Sequence, residues 1–325
     1  MGDTCKAIQV TRPGGFEIID IPMPRPLDDE MLIELRACST CTNWELKTWA
    51  GVDIFGRPGH PIYPQNPGSP GHEASGTVVE CGANVTTVKA GDHVAIMGSV
   101  RGPENDAHAQ FVARPEAHVA LLSPSVSFVD AAPLEMVMCA VRSLTVAGDV
   151  SGKSVAVVGL GPAGNFHVQL ARHGGAARCI GIDTVPARLN AARPFADLAV
   201  SPTDGDALAQ VRADGVDIAF DCSGSPAGMR LGLDLAREVC YVFAVPEGEV
   251  GWGKMDWLSG TALVPYNWRG DSPWSVLRRA AALLGDGAVD ARAVITHVLP
   301  YTRYAEAMDL LASRQAIKIV FEGWE

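Results

Sequence analysis

The sequence predicts an α/β protein with two textures: a mostly β first part, and a second part built as a doubly wound parallel sheet. Three observations carry this. Short β-type runs separated by Gly/Pro turns fill the chain up to about residue 120. From about residue 150 to 245, strand-like and helix-like segments alternate. A glycine-rich strand–turn–helix signature, VAVVGLGPAG at 155–164, opens that alternation. A length of 325 residues suits two domains.

In the first part the β-type runs are IELRA (33–37), GTVVEC (76–81), HVAIM (93–97) and AQFVAR (109–114), divided by PGG, RPG, NPGSPG and KAGD. The texture changes after Ser123, where 127–148 has helical apolar spacing. Then come SVAVVG, a helix from 163 to about 173, CIGID, a helix at 186–193, DIAFDCSG, a helix at 226–237, and CYVFAV. The tail carries a helix at 276–284, the strand-like ITHVL, a helix at 303–312 and a last strand KIVFEG, and is expected to return to the first part. No repeat or low-complexity tract is present.

Bulk properties exclude several classes. Apolar residues make up 47% of the chain, enough for buried cores. The net charge of −11 disfavours nucleic-acid binding. No membrane span or signal peptide is read from the sequence. The eight cysteines are scattered rather than framed as a disulfide scaffold. A cytoplasmic protein acting on a small molecule, with no nucleic-acid or membrane partner, is expected.

In the loop, Gly159 permits the tight turn, Gly161 lets the backbone approach a pyrophosphate, and Gly164 allows close helix–strand packing. Leu160, Pro162 and Ala163 complete the cradle, at the head of a helix whose free N–H groups favour phosphate. Asp183 closes the second strand, where a carboxylate accepts bonds from ribose hydroxyls and repels a 2′-phosphate. NAD is therefore expected ahead of NADP, a preference that the nearby Arg188 weakens.

Cys41, His72, Glu73 and Glu135 offer thiolate, imidazole and carboxylate donors of the kind zinc takes. Singly, each has a plainer reading: a small buried apolar cysteine, a satisfied histidine, a solvated glutamate. Glu135 lies in the apolar stretch AAPLEMVM, where a buried carboxylate needs a partner.

The order of Cys41 after a strand, GHE, KAGDHVA, Glu135 before the cofactor loop, VVGLGPAG and finally THVLPYTRYAEAMDLL…KIVF resembles the zinc-dependent medium-chain dehydrogenase/reductase superfamily, the alcohol and polyol dehydrogenases. The resemblance spans nearly the whole chain. It implies a GroES-like catalytic domain (1–137 and 269–325) around a Rossmann domain (138–268). It implies Cys41 and His72 as zinc ligands, Glu135 bound directly or through water, and Glu73 as a residue that enters or leaves the coordination sphere. Lys318 is placed by the same analogy near the cofactor phosphates. A homodimer or homotetramer is implied.

Two departures stand out. Many members carry a four-cysteine structural zinc lobe, but here the interval GSVRGPENDAH has no cysteine, so one zinc per chain at most is expected. In CTNWEL, Asn43 and Leu46 replace the usual hydroxyl and histidine of the alcohol proton relay. An amide orients a substrate oxygen but relays protons poorly. Thr42, Glu45, Glu73 or a water channel is left to substitute.

Hydride transfer between NAD(H) and a secondary alcohol or ketone is therefore expected, with Cys41, Asn43, His72 and Glu73 at the reacting end. The alternative is reduction of a C=C or C=N bond by a member that has lost the relay. Thiol–disulfide exchange at Cys38-Ser-Thr-Cys41 and dinucleotide sensing without turnover fit less well. Trp44 should lie near the metal, while Trp49, Trp252, Trp257, Trp268 and Trp274 read as core or interface anchors. The polar surroundings of Asn43, Glu45 and Glu135 favour a polyol, sugar or cyclitol substrate.

Overall fold

The computed structural model describes residues 2–98, 106–267 and 270–325. The chain divides into two compact units: Met1–Met136 with Trp274–Asp286 and Ile295–Glu325, and Val137–Pro273 with Gly287–Val294.

The first unit begins with a hairpin of β1 (Thr4–Arg12) and β2 (Gly15–Pro22). There follow β3 (Glu30–Ser39), α1 (Thr42–Ala50), β4 (Glu73–Cys81), β5 (His93–Met97), β6 (Phe111–Pro115), β7 (Val119–Leu121), α2 (Phe128–Ala131) and the start of α3 (Leu134–Ala147), which from Val137 belongs to the second unit. The helical spacing read across 127–148 is thus broken after Ala131. Ser127 caps α2 through its Oγ, and the break lies around Pro133, which has no N–H to continue a helix.

The second unit alternates β8 (Ser154–Val158), α4 (Pro162–His173), β9 (Arg178–Ile182), α5 (Pro186–Ala192), β10 (Leu198–Val200), α6 (Gly205–Asp214), β11 (Val216–Asp221), α7 (Pro226–Leu235), β12 (Ala236–Val242), α8 (Lys254–Ser259) and β13 (Ala262–Pro265). Its strand order is β10-β9-β8-β11-β12-β13, all parallel, with the order reversing between β8 and β11. Period two explains why helices cover both faces. Val155 and Val157 of β8 pack with Val168 and Phe220 on one side, and Ala156 and Val158 pack with Ile180 and Leu231 on the other. Proline at the first turn of α4, α5 and α7 suits a position whose N–H has no helical acceptor.

The chain returns to the first unit through α9 (Pro273–Gly285), β14 (Ile295–Leu299), α10 (Tyr304–Ala312) and β15 (Lys318–Phe321). β15 pairs with β14 and antiparallel with β3, completing the sheet β14-β15-β3-β4-β5-β7, with β6 also on β3. Its core gathers Ile8, Met31, Ile33, Ile96, Tyr304 and Phe321, all fully buried.

Candidate active site

The candidate metal-ligand group is built by two neighbouring strands and one helix start. Cys41 is the N-cap of α1, in extended conformation two residues past the end of β3. Glu73 opens β4 directly opposite Ser39 of β3, and His72 precedes it. The Nδ1–H of His72 donates to the Pro70 carbonyl at 2.8 Å, which leaves Nε2 as the lone-pair nitrogen of the ring. One ligand atom each from Cys41, His72 and Glu73 lies within 4.8 Å of the others. Zinc bonds of about 2.0–2.3 Å to sulfur, nitrogen and oxygen are reached from there with a small contraction.

Glu73 is wholly buried and its two oxygens have different surroundings. Oε2 accepts from Ser39 Oγ at 2.5 Å and pairs with Lys318 Nζ at 2.6 Å. Oε1 has no hydrogen-bond partner and stands 4.0 Å from His72 Nε2. A buried carboxylate oxygen without a donor is costly, and a cation held with Cys41 and His72 would satisfy it. The residues therefore fit a metal ion. Glu135, half-buried in the first turn of α3, stands outside the three-residue group but acts on His72 through its charge.

Lys318 corrects an expectation. It is not free for a phosphate: it is fully buried, with Nζ held by Glu73 and donating to the Thr40 carbonyl at 2.8 Å. Burial opposes its charge, but Glu73 and Cys41 outweigh that and raise its pKa.

The electrostatics of the centre are negative. Burial works against a charged His72. The hydrogen bond and charge of Cys41, with the charges of Glu135 and Glu45, overcome this and hold its pKa well above the ordinary value. Glu45 adds a further buried acid, with its carboxylate 3.4 Å from His108 Nε2 and both residues fully enclosed. A pocket of this charge favours a cation.

The positions of the usual relay are placed unequally. Asn43 sits half-buried in the first turn of α1, while Leu46 packs against the hydrophobic core. Thr42 Oγ1 is buried without a partner. Trp44, as expected, lies beside the centre, its ring 5.4 Å from that of His72 and 5.8 Å from Phe55. Of the other tryptophans, Trp49 packs on the first unit's core, Trp274 stacks on His118 at 3.8 Å, and Trp252 and Trp257 are exposed rather than core. Trp268 and residues 99–105 of the cysteine-free interval lie outside the described residues.

In the second unit the glycine loop has the form its spacing requires. Gly159 has φ of +90°, and a Cβ there would meet Ser223 N at 2.6 Å. A Cβ on Gly164 would stand 1.7 Å from the Gly159 carbonyl oxygen, so this turn closes only with glycine. Around Gly161 the space is open, as an approaching phosphate would need. Pro162 and Ala163 form the first turn of α4. Asp183 follows β9. Its Oδ2 accepts from Leu160 N at 2.7 Å and its Oδ1 from Val185 N at 2.8 Å, with Arg188 Nη1 at 3.7 Å. The carboxylate thus ties the loop to the end of β9 while keeping lone pairs for further donors.

Sequence reasoning missed Ser39, the buried role of Lys318 and the Glu45–His108 pair. A signal for Lys318 was present: a lysine inside the apolar run AIKIVF needs a buried carboxylate.

Comparison with known proteins gives the family. Residues 27–122 match the family model of the alcohol dehydrogenase GroES-like domain, and residues 162–249 match that of the zinc-binding dehydrogenase. The chain is 28% identical over 345 residues to L-threonine 3-dehydrogenase of Caldanaerobacter subterraneus subsp. tengcongensis, covering 94% of this chain and 95% of that protein. It is 26% identical to D-arabitol-phosphate dehydrogenase of Enterococcus avium, covering 99% of each. A crystal structure of a Sinorhizobium meliloti protein bound to NADP superposes with a TM-score of 0.83 at 22% identity, over 99% of this chain and all of that one, which shows a shared fold. With both family models matched in order around a Cys–His–Glu group and a glycine loop, the chain belongs to the zinc-dependent medium-chain dehydrogenase/reductase superfamily.

Proposed function

We propose that this oxidoreductase transfers a hydride between NAD(H) and a secondary alcohol or ketone of a polyol, sugar or cyclitol, with one zinc per chain. The single observation that carries the reading is the buried, unpartnered Glu73 Oε1 facing Cys41 and His72. When bound, zinc supplies Lewis-acid polarisation of the substrate oxygen and the nicotinamide supplies the hydride acceptor. Cys41, His72 and Glu73 would hold the metal, and Glu135, whose charge reaches His72, would support that set from outside it. Ser39 and Lys318 fix the Glu73 carboxylate.

Asn43 orients the substrate oxygen, and Thr42 replaces the missing relay. Its Oγ1 is buried, unpartnered and adjacent to Cys41, and a hydroxyl both accepts and releases a proton. The glycine loop from Gly159 to Gly164 would cradle the pyrophosphate, and Asp183 would take the ribose hydroxyls, which favours NAD. Arg188, 3.7 Å from Asp183, is the cation beside that site and weakens the preference. The relatives named for threonine and for arabitol phosphate support a substrate with a secondary hydroxyl in a polar chain.

The test is nicotinamide reduction by the purified protein with a panel of polyols, sugars and cyclitols, NAD against NADP. Turnover that Thr42→Ala lowers tenfold or more and Thr42→Ser retains supports the reading. Reduction of C=C or C=N substrates with no alcohol turnover contradicts it.

A further inference from the structure

The unit that holds the metal-ligand group also carries a cavity of about 290 Å³. This is near the small end of the range for ligand pockets. Trp44 and Thr48, one helical turn apart on α1, form one wall, and the loop from Asp53 to Asn66 forms the other. Trp44 is shared between cavity and metal-ligand group, because its ring also packs on His72.

Within the cavity lining, Asp53 and Arg57 are set in an unusual way. The aspartate is the buried member: Oδ2 accepts the backbone N–H groups of Phe55 and Arg57, both at 2.9 Å, and Oδ1 accepts Arg57 Nη2 at 2.6 Å. Its side chain is 6% exposed and that of Arg57 is 55% exposed. The Nε–Nη2 edge of the guanidinium is thus used inward, and the plane lies over the Phe55 ring at 5.4 Å. Arginine has five N–H donors, so Nη1 and the outer N–H of Nη2 are presented in a fixed direction. A surface ion pair gains little stability, and although Asp53 lines the cavity too, its oxygens are already engaged, so the half-exposed guanidinium is the member with donors left for a ligand. The chain is net acidic, so an anionic ligand needs such a local cation.

We propose that this cavity receives the non-reacting end of the substrate and that Arg57 binds an anionic group there, so that the substrate is a polyol or sugar with a terminal carboxylate or phosphate ester. The inference rests on the polyol reading above. Trp44 is then the wall along which the carbon chain passes, and Gln65, Asn66 and His60 are the polar neighbours for its hydroxyls.

The experiment uses the zinc-loaded 325-residue protein with three probes: a pentitol, the same pentitol with a terminal phosphate ester, and the matching aldonate. Binding is read by tryptophan fluorescence and turnover by nicotinamide reduction. Wild type is expected to prefer one anionic probe over the neutral pentitol at least tenfold, and the phosphate and carboxylate arms identify which. Arg57→Ala removes that preference, Arg57→Lys keeps part of it, and Arg303→Ala, whose partner is Glu306, leaves it unchanged. Equal binding of neutral and anionic probes, no binding of any probe, or a preference that survives Arg57→Ala overturns the proposal. Arg57-dependent binding without turnover would keep it and remove the dehydrogenase reading. Turnover without charge preference would do the reverse.

Discussion

Replacing Lys318 with methionine leaves Glu73 as a buried carboxylate without its counter-ion. Both side chains are fully enclosed, the pair distance is 2.6 Å, and the ammonium also holds the Thr40 carbonyl. Breaking a buried pair by removing one partner costs about 3–5 kcal/mol. Glu73→Gln strands the ammonium instead and should cost a similar amount. In the double variant no charge is left unpaired and the new side-chain amide can still accept from Ser39, so the loss should fall to about 1–2 kcal/mol, the scale of an ordinary hydrogen bond and its packing. The coupling between the sites is then at least about 4 kcal/mol, far above the scatter for independent positions. Urea unfolding of the metal-free protein, followed by tryptophan emission, reads this out. With a slope of roughly 2 kcal/mol per molar, each single variant lowers the midpoint by about 1.5–2.5 M. Single losses below about 1 kcal/mol, or losses that add in the double variant, would refute the placement of this pair as the support of Glu73.

Other consequences concern the second unit. Burial depresses His167 to a pKa of about 4, so the folded state keeps it neutral. Its stabilising contribution is complete above the unfolded value near 6.5. It is lost as pH falls from there through 4, about 3 kcal/mol in all. His167→Asn should flatten that part of the acid-unfolding profile, and an unchanged slope would count against it. Gly164→Ala places a methyl against the Gly159 carbonyl and should cost about 1–3 kcal/mol or more while weakening nucleotide binding at least tenfold by fluorescence titration. Binding at wild-type strength would contradict the assignment of this turn.

The second unit was more legible than the first, for physical reasons. Each glycine of VAVVGLGPAG answers a local requirement, and β8 and β11 are apolar on both faces, so their periodicity and their environment agree. α1 was not anticipated. It buries Glu45 and Thr48, and polar residues facing inward erase the apolar stripe that marks a helix. Ser39 could be found only from the register that sets it across from Glu73, and register between strands 34 residues apart is a tertiary property. That Cys41, His72 and Glu73 offer donors of the kind zinc takes was legible by type and order, and the structure brings those donors within 4.8 Å of one another. The separate uses of the two Glu73 oxygens were not, since they depend on Lys318, a residue from the far end of the chain. For Glu135 the resemblance implies a direct or water-mediated ligand, and the structure gives it an electrostatic hold on His72.

Zinc content by elemental analysis, on the wild-type protein and on Cys41→Ser, tests the central claim most directly. The account predicts about one zinc per chain in the wild type, close to none in the variant, and nicotinamide cofactor binding retained in both. A wild-type protein that binds the cofactor yet carries no zinc, or a Cys41→Ser variant that keeps its full zinc, would contradict it.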